Sequence, residues 1–390
     1  MIKKLRYHFS LMDKWLLAAY LFMLIVSIIM VYSASSYTAL QDFGNSRHYF
    51  IRQSVYAGMS VVLMVMTTLI PLRVFKSKKT MMFVLSITIA MLIAVFFGRE
   101  INGAKRWIQL PFLTIQPGEI AKVVVVWYMA YILSKRETAK VGAFFQSLIQ
   151  PLILITVMLT LIFLQPDTGT TVIIIVITAM MIFASGISFW IGAGFSAIGG
   201  IIVVGGMALI RRFGESLPFI SGYRYDRFLA FWDPFALSDS HGLQLVNSYY
   251  ALSRGGLFGV GLGNSIQKTG YLPFPYTDFI LAIVGEELGL IRLGLILLVF
   301  LFLILRVFII GIRLRDSFSM LFCYGVGVLL VIQSLFNIGG VIGILPITGL
   351  TFPFLSYGGS SLLIISFAVG LVLNISVVSN KAKLRASMDN

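Results

Sequence analysis

The sequence predicts an all-α integral membrane protein with ten transmembrane helices, both termini in the cytoplasm, and one long extracellular loop between helices 7 and 8. Three observations carry this reading. Of the 390 residues, 58% are hydrophobic and only 12% charged, where soluble domains carry about 25% charged residues. No soluble packing hides that much apolar surface behind so few charges. The apolar residues also come in long unbroken runs, without the period-2 alternation of barrel strands. Finally, Lys and Arg are distributed unevenly among the segments between those runs.

A helical run of about 17 residues or more crosses about 30 Å of hydrocarbon. Ten such runs lie at 15–33, 50–70, 80–97, 115–134, 148–164, 169–185, 188–210, 277–305, 317–343 and 352–378. The first, with Lys3, Lys4 and Arg6 before it and Ser33-Ala34-Ser35 after it, exceeds the about 7–15 residues of a signal-peptide core. It is read as a retained helix.

Basic residues fix the direction. Lys3, Lys4, Arg6 and Lys14 precede the first run; Arg73, Lys76, Lys78 and Lys79 follow the second; Lys135, Arg136 and Lys140 follow the fourth. Arg306, Arg313 and Arg315 follow the eighth, and Lys381, Lys383 and Arg385 the tenth. The short segments on the opposite side hold only Arg47, Arg52, Arg99, Lys105 and Arg106. Segment 211–276 therefore falls outside, where long translocated loops are exempt from the rule. The chain reads as one polytopic domain over 1–390, with loop 211–276 packing back onto the bundle and a short basic tail at 379–390.

The net charge of +15 follows from this insertion bias, so no nucleic-acid role is expected. Cys323 is the one cysteine, and His8, His48 and His241 are far apart. Neither a disulfide framework nor a His-based metal cluster is expected.

Ionisable residues inside spans are candidates for function. Glu119 and Lys122, in Gln116-Pro117-Gly118-Glu119-Ile120-Ala121-Lys122, share a helix face at i,i+3. They form either a structural ion pair or a polar cavity wall. Gly103-Ala104-Lys105-Arg106-Trp107 sets cations beside an interfacial aromatic, as an aromatic belt or as a dock for an anionic headgroup. Asp167, in Gln165-Pro166-Asp167-Thr168-Gly169, suits an Asx turn. Glu286 and Glu287 point about 100° apart, so at most one faces a given cavity. Arg292, near mid-membrane, needs a partner among Glu286, Glu287 and Glu119. Asp278 closes the external loop in Tyr271-Leu272-Pro273-Phe274-Pro275-Tyr276-Thr277-Asp278-Phe279. Thr277 or Asp278 suits a helix N-cap, and a carboxylate at the membrane–water boundary also suits a general base. The Gly, Ser and Pro residues from Asn337 to Ser361 break the ninth and tenth runs, as a kinked connection or a cavity wall.

Taken together and in this order, Gly103–Trp107 with Gln116–Lys122, Gln165–Gly169, Gly255–Gly263, Thr277–Gly289 and Asn337–Ser361 resemble the SEDS family (FtsW, RodA and SpoVE). The likeness covers nearly the whole chain. The stretches Tyr271–Phe279 and Thr351–Leu355 look more like the FtsW branch of Gram-positive bacteria than RodA. The resemblance implies a peptidoglycan glycosyltransferase that joins lipid II units on the outer face of the bacterial plasma membrane, in division or growth. It implies that Asp278 is the essential carboxylate, a general base or a ligand for a divalent cation. It implies that Arg52, Glu119 and Lys122 line a polar cavity; Lys105, Arg106, Trp107, Gln116, Asp167, Ser356, Tyr357 and Gly358 are further substrate-binding candidates. Its usual partners are a class B penicillin-binding protein (a transpeptidase) and other divisome or elongation-complex membrane proteins. Two departures stand out: Phe274 and Tyr276 occupy positions where many members have Glu and His, and Arg292 stands where Gly is usual. A lipid II flippase and a non-catalytic scaffold for the transpeptidase are the alternatives.

Overall fold

The computed structural model describes residues 2–98, 100, 105–110, 114–135, 141–186, 189–214, 223–240 and 242–388. Arg99, Gly103, Ala104, Arg136, Lys140 and His241 lie outside the described residues. A short α1 (Ile2–Ser10) leads into α2 (Lys14–Phe43), α3 (His48–Leu69), the single turn α4 (Leu72–Phe75) and α5 (Lys78–Ala94). A two-stranded ribbon, β1 (Ile108–Gln109) antiparallel to β2 (Thr114–Ile115), precedes α6 (Pro117–Ser134). Then follow α7 (Val141–Leu164), α8 (Thr168–Ala184), α9 (Phe189–Phe213), α10 (Tyr223–Trp232) and α11 (Leu243–Gly255). The chain closes with α12 (Ile280–Ile312), α13 (Ser317–Val341) and α14 (Gly359–Met388).

Each of the ten apolar runs falls on one of α2, α3, α5–α9 and α12–α14. Of these, α2, α3, α5, α12, α13 and α14 are each long and apolar enough to cross a bilayer. Helix α6, the most enclosed, packs against α5, α8 and α13, while α14 lies along α3 and α12 along α2. The helix starts are written in the sequence. Asp13, Asp167 and Asp316 each accept a backbone N–H of the first turn of α2, α8 and α13, and Pro117 opens α6.

Charged contacts sort the bundle into two ends. At one, Arg306 of α12 forks onto Asp13 at 2.7–3.0 Å, and Lys76 pairs with Asp316 at 2.7 Å. At the other lie Arg52, Gln116, Asp167, Asp278 and the irregular segment 342–358.

Several boundaries differ from the sequence expectation. Helix α14 starts at Gly359, seven residues after 352, because Pro353 and a left-handed Phe354 (φ 62°) prevent helix there. It also runs on through the basic tail. Helix α12 starts at Ile280 behind Phe279, with no side-chain cap; neither Thr277 nor Asp278 takes the capping role. The long loop does pack back: Ser248 of α11 donates to Val341 O at 2.5 Å, and α11 lies along α12.

The largest departure is inside α12. Its run reads as one continuous helix, yet Gly289 has φ 78° and ψ 167°, which breaks the ladder. Loop 255–263 fills the break. Val260 N and Gly261 N donate to Glu286 O and Glu287 O, and Leu290 N and Ile291 N donate to Gly256 O and Leu257 O. Every bond is 3.0–3.2 Å, so the backbone groups freed at the break regain partners, as buried backbone polar groups require. A Cβ at Gly259 would strike Glu287 O, and one at Gly289 would strike Gly259 N. Only glycine lets the two backbones approach this closely.

The long segment 211–276 answers both buried glutamates, from α11 and from the residues after loop 255–263, and the two side chains, about 100° apart on the helix, meet different cations. Arg254 reaches Glu286 at 2.7 Å, and Lys268 reaches Glu287 at 2.6 Å. Ser265 donates to Glu286 Oε2 at 2.5 Å, and Ser33 of α2 donates to Glu287. Because the loop wraps around the helix, residues pointing in different directions join one network. Among the described residues Arg292 pairs with no carboxylate: it is exposed and donates to Phe258 O at 3.1 Å. Glu286, Glu287 and Glu119 are already matched by Arg254, Lys268 and Lys122.

Candidate active site where α12, α13 and α14 meet

Asp278 sits on the last stretch of the long loop, fastened to segment 342–358 from three directions. Tyr357 N donates to Tyr276 O at 2.9 Å, and Ser356 Oγ donates to Thr277 O at 2.7 Å. Asn337 Nδ2, one turn from the end of α13, donates to Asp278 O at 2.8 Å and to Leu350 O at 2.6 Å. The two segments brought together each carry a non-glycine residue at positive φ, Phe274 (53°) and Phe354 (62°). Such positions cost about 1–3 kcal/mol each and persist where the surroundings over-determine them.

The carboxyl lies beside Gly349, where a Cβ would come 3.5 Å from Asp278 Oδ2 and 3.4 Å from Arg227 Nη2. Arg227, on α10, also donates to Ile347 O at 3.0 Å. Burial pushes the Asp278 pKa above the usual carboxylate range, while the Arg227 and Arg106 guanidinium groups pull it down. A carboxylate half-buried at a surface is equipped to hold a proton briefly, and the two cations beside it to attract anions. Arg106 Nε is buried without a partner among the described residues. Arg227 was missed in the sequence, where it is one of several loop arginines with nothing in its spacing to mark it.

The other predicted residues divide into groups. Tyr357 packs its ring near Tyr49, Tyr56 and Tyr276, with centroids 5.1–6.2 Å apart, and the Arg52 cation lies near its hydroxyl. Ser356 Oγ, buried, spends its bonds on Phe352 N and Thr277 O, and Gly358 O accepts from Leu362 N at the start of α14. These two fasten the site. Asp167 caps α8 and accepts from Gln116 Nε2 at 2.8 Å, so the Asx-turn reading describes its geometry. Lys105 is exposed and Trp107 half-buried.

Glu119 and Lys122 do pair, at 2.8 Å with both side chains almost fully buried. Lys122 also donates to Gln333 Oε1 at 2.8 Å, and Gln333 Nε2 donates to Thr351 O. Gln333 and Asn337 are four residues apart on one face of α13. The ion pair thus sits one helical turn from the Asn337–Asp278 contact and supports the same 342–358 segment. Lys122→Ala leaves a buried carboxylate unpaired, and we expect a loss of about 3–5 kcal/mol. Glu119→Leu together with Lys122→Met should recover most of it; thermal unfolding in detergent measures both.

A resident divalent cation does not fit these residues. Asp278 is flanked by Arg227 and Arg106, and no group of three or more His, Cys, Asp or Glu forms a metal cluster among the described residues. Hard cations take several oxygen ligands, and cationic neighbours oppose them.

The chain is 36% identical to the "Probable peptidoglycan glycosyltransferase FtsW" of Coxiella burnetii, over 93% of this chain and 96% of that protein. It is 37% identical to the protein of the same name from Bacillus subtilis, over 90% and 87%. In fold it resembles a chain from the structure "Structural coordination of polymerization and crosslinking by a peptidoglycan synthase complex", with TM-score 0.74, 24% identity, and 94% and 98% of the two chains covered. It also resembles the rod shape determining protein RodA of Thermus thermophilus, with TM-score 0.64, 24% identity, and 94% and 96% covered. The family described as "Cell cycle protein", comprising FtsW, RodA and SpoVE, matches residues 14–381. With a family match over residues 14–381 and relatives 36–37% identical over nearly the whole chain, the chain belongs to the FtsW/RodA/SpoVE family.

Proposed function

We propose that this protein is a peptidoglycan glycosyltransferase that polymerises lipid II at the outer face of the bacterial plasma membrane. The observation that carries the reading is the placing of Asp278: one carboxylate at the bundle surface, its pKa raised by burial, with Arg227 and Arg106 beside it. The family's FtsW relatives share the named activity. In our reading α2, α3, α5–α9 and α12–α14 each cross the membrane, both termini are cytoplasmic, and α10 and α11 belong to the external loop. A membrane-anchored transpeptidase is the expected partner, in line with the polymerisation and crosslinking named for the structural relative.

The chemistry follows from the residue types. A sugar hydroxyl is too weak an acid to ionise unaided, so Asp278 takes its proton as the oxygen attacks the anomeric carbon of the donor sugar. A C–O bond forms to the incoming oxygen, and the bond to the lipid pyrophosphate breaks from the opposite face, inverting that carbon. The pyrophosphate leaves with its electron pair, and cations meet its charge, for which Arg106, Arg227, Lys105 and Arg52 are the candidates. Asp278 then returns the proton to water.

The test is purified protein in proteoliposomes with lipid II. Glycan product, free lipid pyrophosphate and an inverted linkage support the reading; lipid translocation without polymer supports a flippase instead. The base must be ionised, so the rate should fall as pH drops through the raised pKa of Asp278. Removing a cation that holds that pKa down moves it further up, so Arg227→Ala should shift the acid limb of kcat/KM to higher pH. An acid limb identical in wild type and Arg227→Ala would contradict this.

A further inference from the structure

Asn337 has a side-chain atom that the fold does not use. Its Nδ2 donates to Asp278 O and to Leu350 O. A flipped amide would set its oxygen against two carbonyl oxygens, so chemistry fixes the orientation. Oδ1 is left over, buried and without a partner among the described residues, on a side chain only 4% exposed. Leaving a buried acceptor unmet is costly. Asn337 also lines a narrow crevice with Asp278, Phe279, Thr348 and Gly349, which has room for about one water-sized group.

An uncharged acceptor repels phosphate oxygens and takes a hydroxyl. The crevice opens beside the carboxylate that meets the attacking sugar. We propose that Asn337 is a further substrate-contacting residue: its Oδ1 accepts a hydrogen bond from a hydroxyl of the acceptor sugar and orients it toward Asp278. This rests on the polymerase reading above.

The test compares lipid II polymerisation by wild type, Asn337→Leu and Asn337→Asp, each with its pH profile and its thermal midpoint. Asn337→Leu keeps the volume and removes the acceptor. Buried Asn337→Asp stays neutral, gives its O–H to one of the two carbonyls and keeps an oxygen for the crevice. We expect Asn337→Leu to lower kcat/KM roughly 10- to 100-fold, the worth of one hydrogen bond to a reacting group, with the acid limb unmoved. Asn337→Asp should keep activity within about tenfold of wild type by the same reasoning. If Asn337→Leu does not fold, Asn337→Ala, with room for a water to bridge the two carbonyls, replaces it. Unchanged kcat/KM in Asn337→Leu would mean that the crevice holds only water, and would overturn the proposal. So would an equal loss in Asn337→Asp, or a shifted acid limb, since both mark an anchor for Asp278 alone. An inactive wild type removes the polymerase reading and this proposal with it, whereas an active wild type with unaffected variants removes only the proposal.

Discussion

Asp278→Asn should lower the polymerisation rate by roughly 10²- to 10⁴-fold, the range for loss of a general base, while the protein folds as wild type does. The two parts of this expectation have separate grounds. The fastening of this stretch runs through main-chain carbonyls, namely those of Tyr276, Thr277 and Asp278. Asparagine leaves all three in place. What it removes is the group that takes the proton, and the two cations beside the carboxyl do not replace it: Arg227 and Arg106 have no basic lone pair to offer. Product formation from lipid II, with thermal midpoints alongside, measures both parts. A mutant within tenfold of wild type would remove Asp278 as the base.

The second large effect concerns folding. Gly259→Ala or Gly289→Ala should destabilise the protein by about 3 kcal/mol or more, the scale reserved for backbone clashes and special φ/ψ. At both positions φ is positive, 79° and 78°, and the new methyl would meet backbone of the opposing strand. Backbone has no rotamer to change, so one segment must move. That displaces loop 255–263 from the break and opens its four cross-bonds. It also draws Arg254 and Lys268 away from Glu286 and Glu287. Thermal unfolding in detergent would register the loss. Gly256→Ala is the control: a Cβ there meets nothing within 4 Å, so it carries only the strain of its own φ.

These two sites differ in how far the sequence announces them. Asp278 is legible because a carboxylate stands alone between a Pro-stiffened loop and an apolar helix. The ten long helices are legible because long apolar runs mark them, and six are long and apolar enough to cross a bilayer. The break at Gly289 is not, since hydropathy counts side chains and is blind to φ; one glycine in an apolar run looks like any other. The partners of Glu286 and Glu287 lie on the preceding loop, at 32 and 19 residues' separation, and spacing on α12 itself cannot reveal them. For the same reason Arg292 looked in need of a carboxylate that other cations already hold. Arg227 reaches Asp278 only because α10 folds back, a tertiary fact without a local motif. Where the chain does follow local chemistry, as at Asp167, the sequence expectation and the geometry coincide.

The account stands on intrinsic polymerase activity, and one measurement reaches it most directly. The purified wild-type chain, reconstituted with its transpeptidase partner carrying no working glycosyltransferase function, is incubated with lipid II, and the products are resolved by length. The account predicts a ladder of glycan strands that grows with time. Intact lipid II throughout, with substrate and partner each shown to be competent, would contradict it.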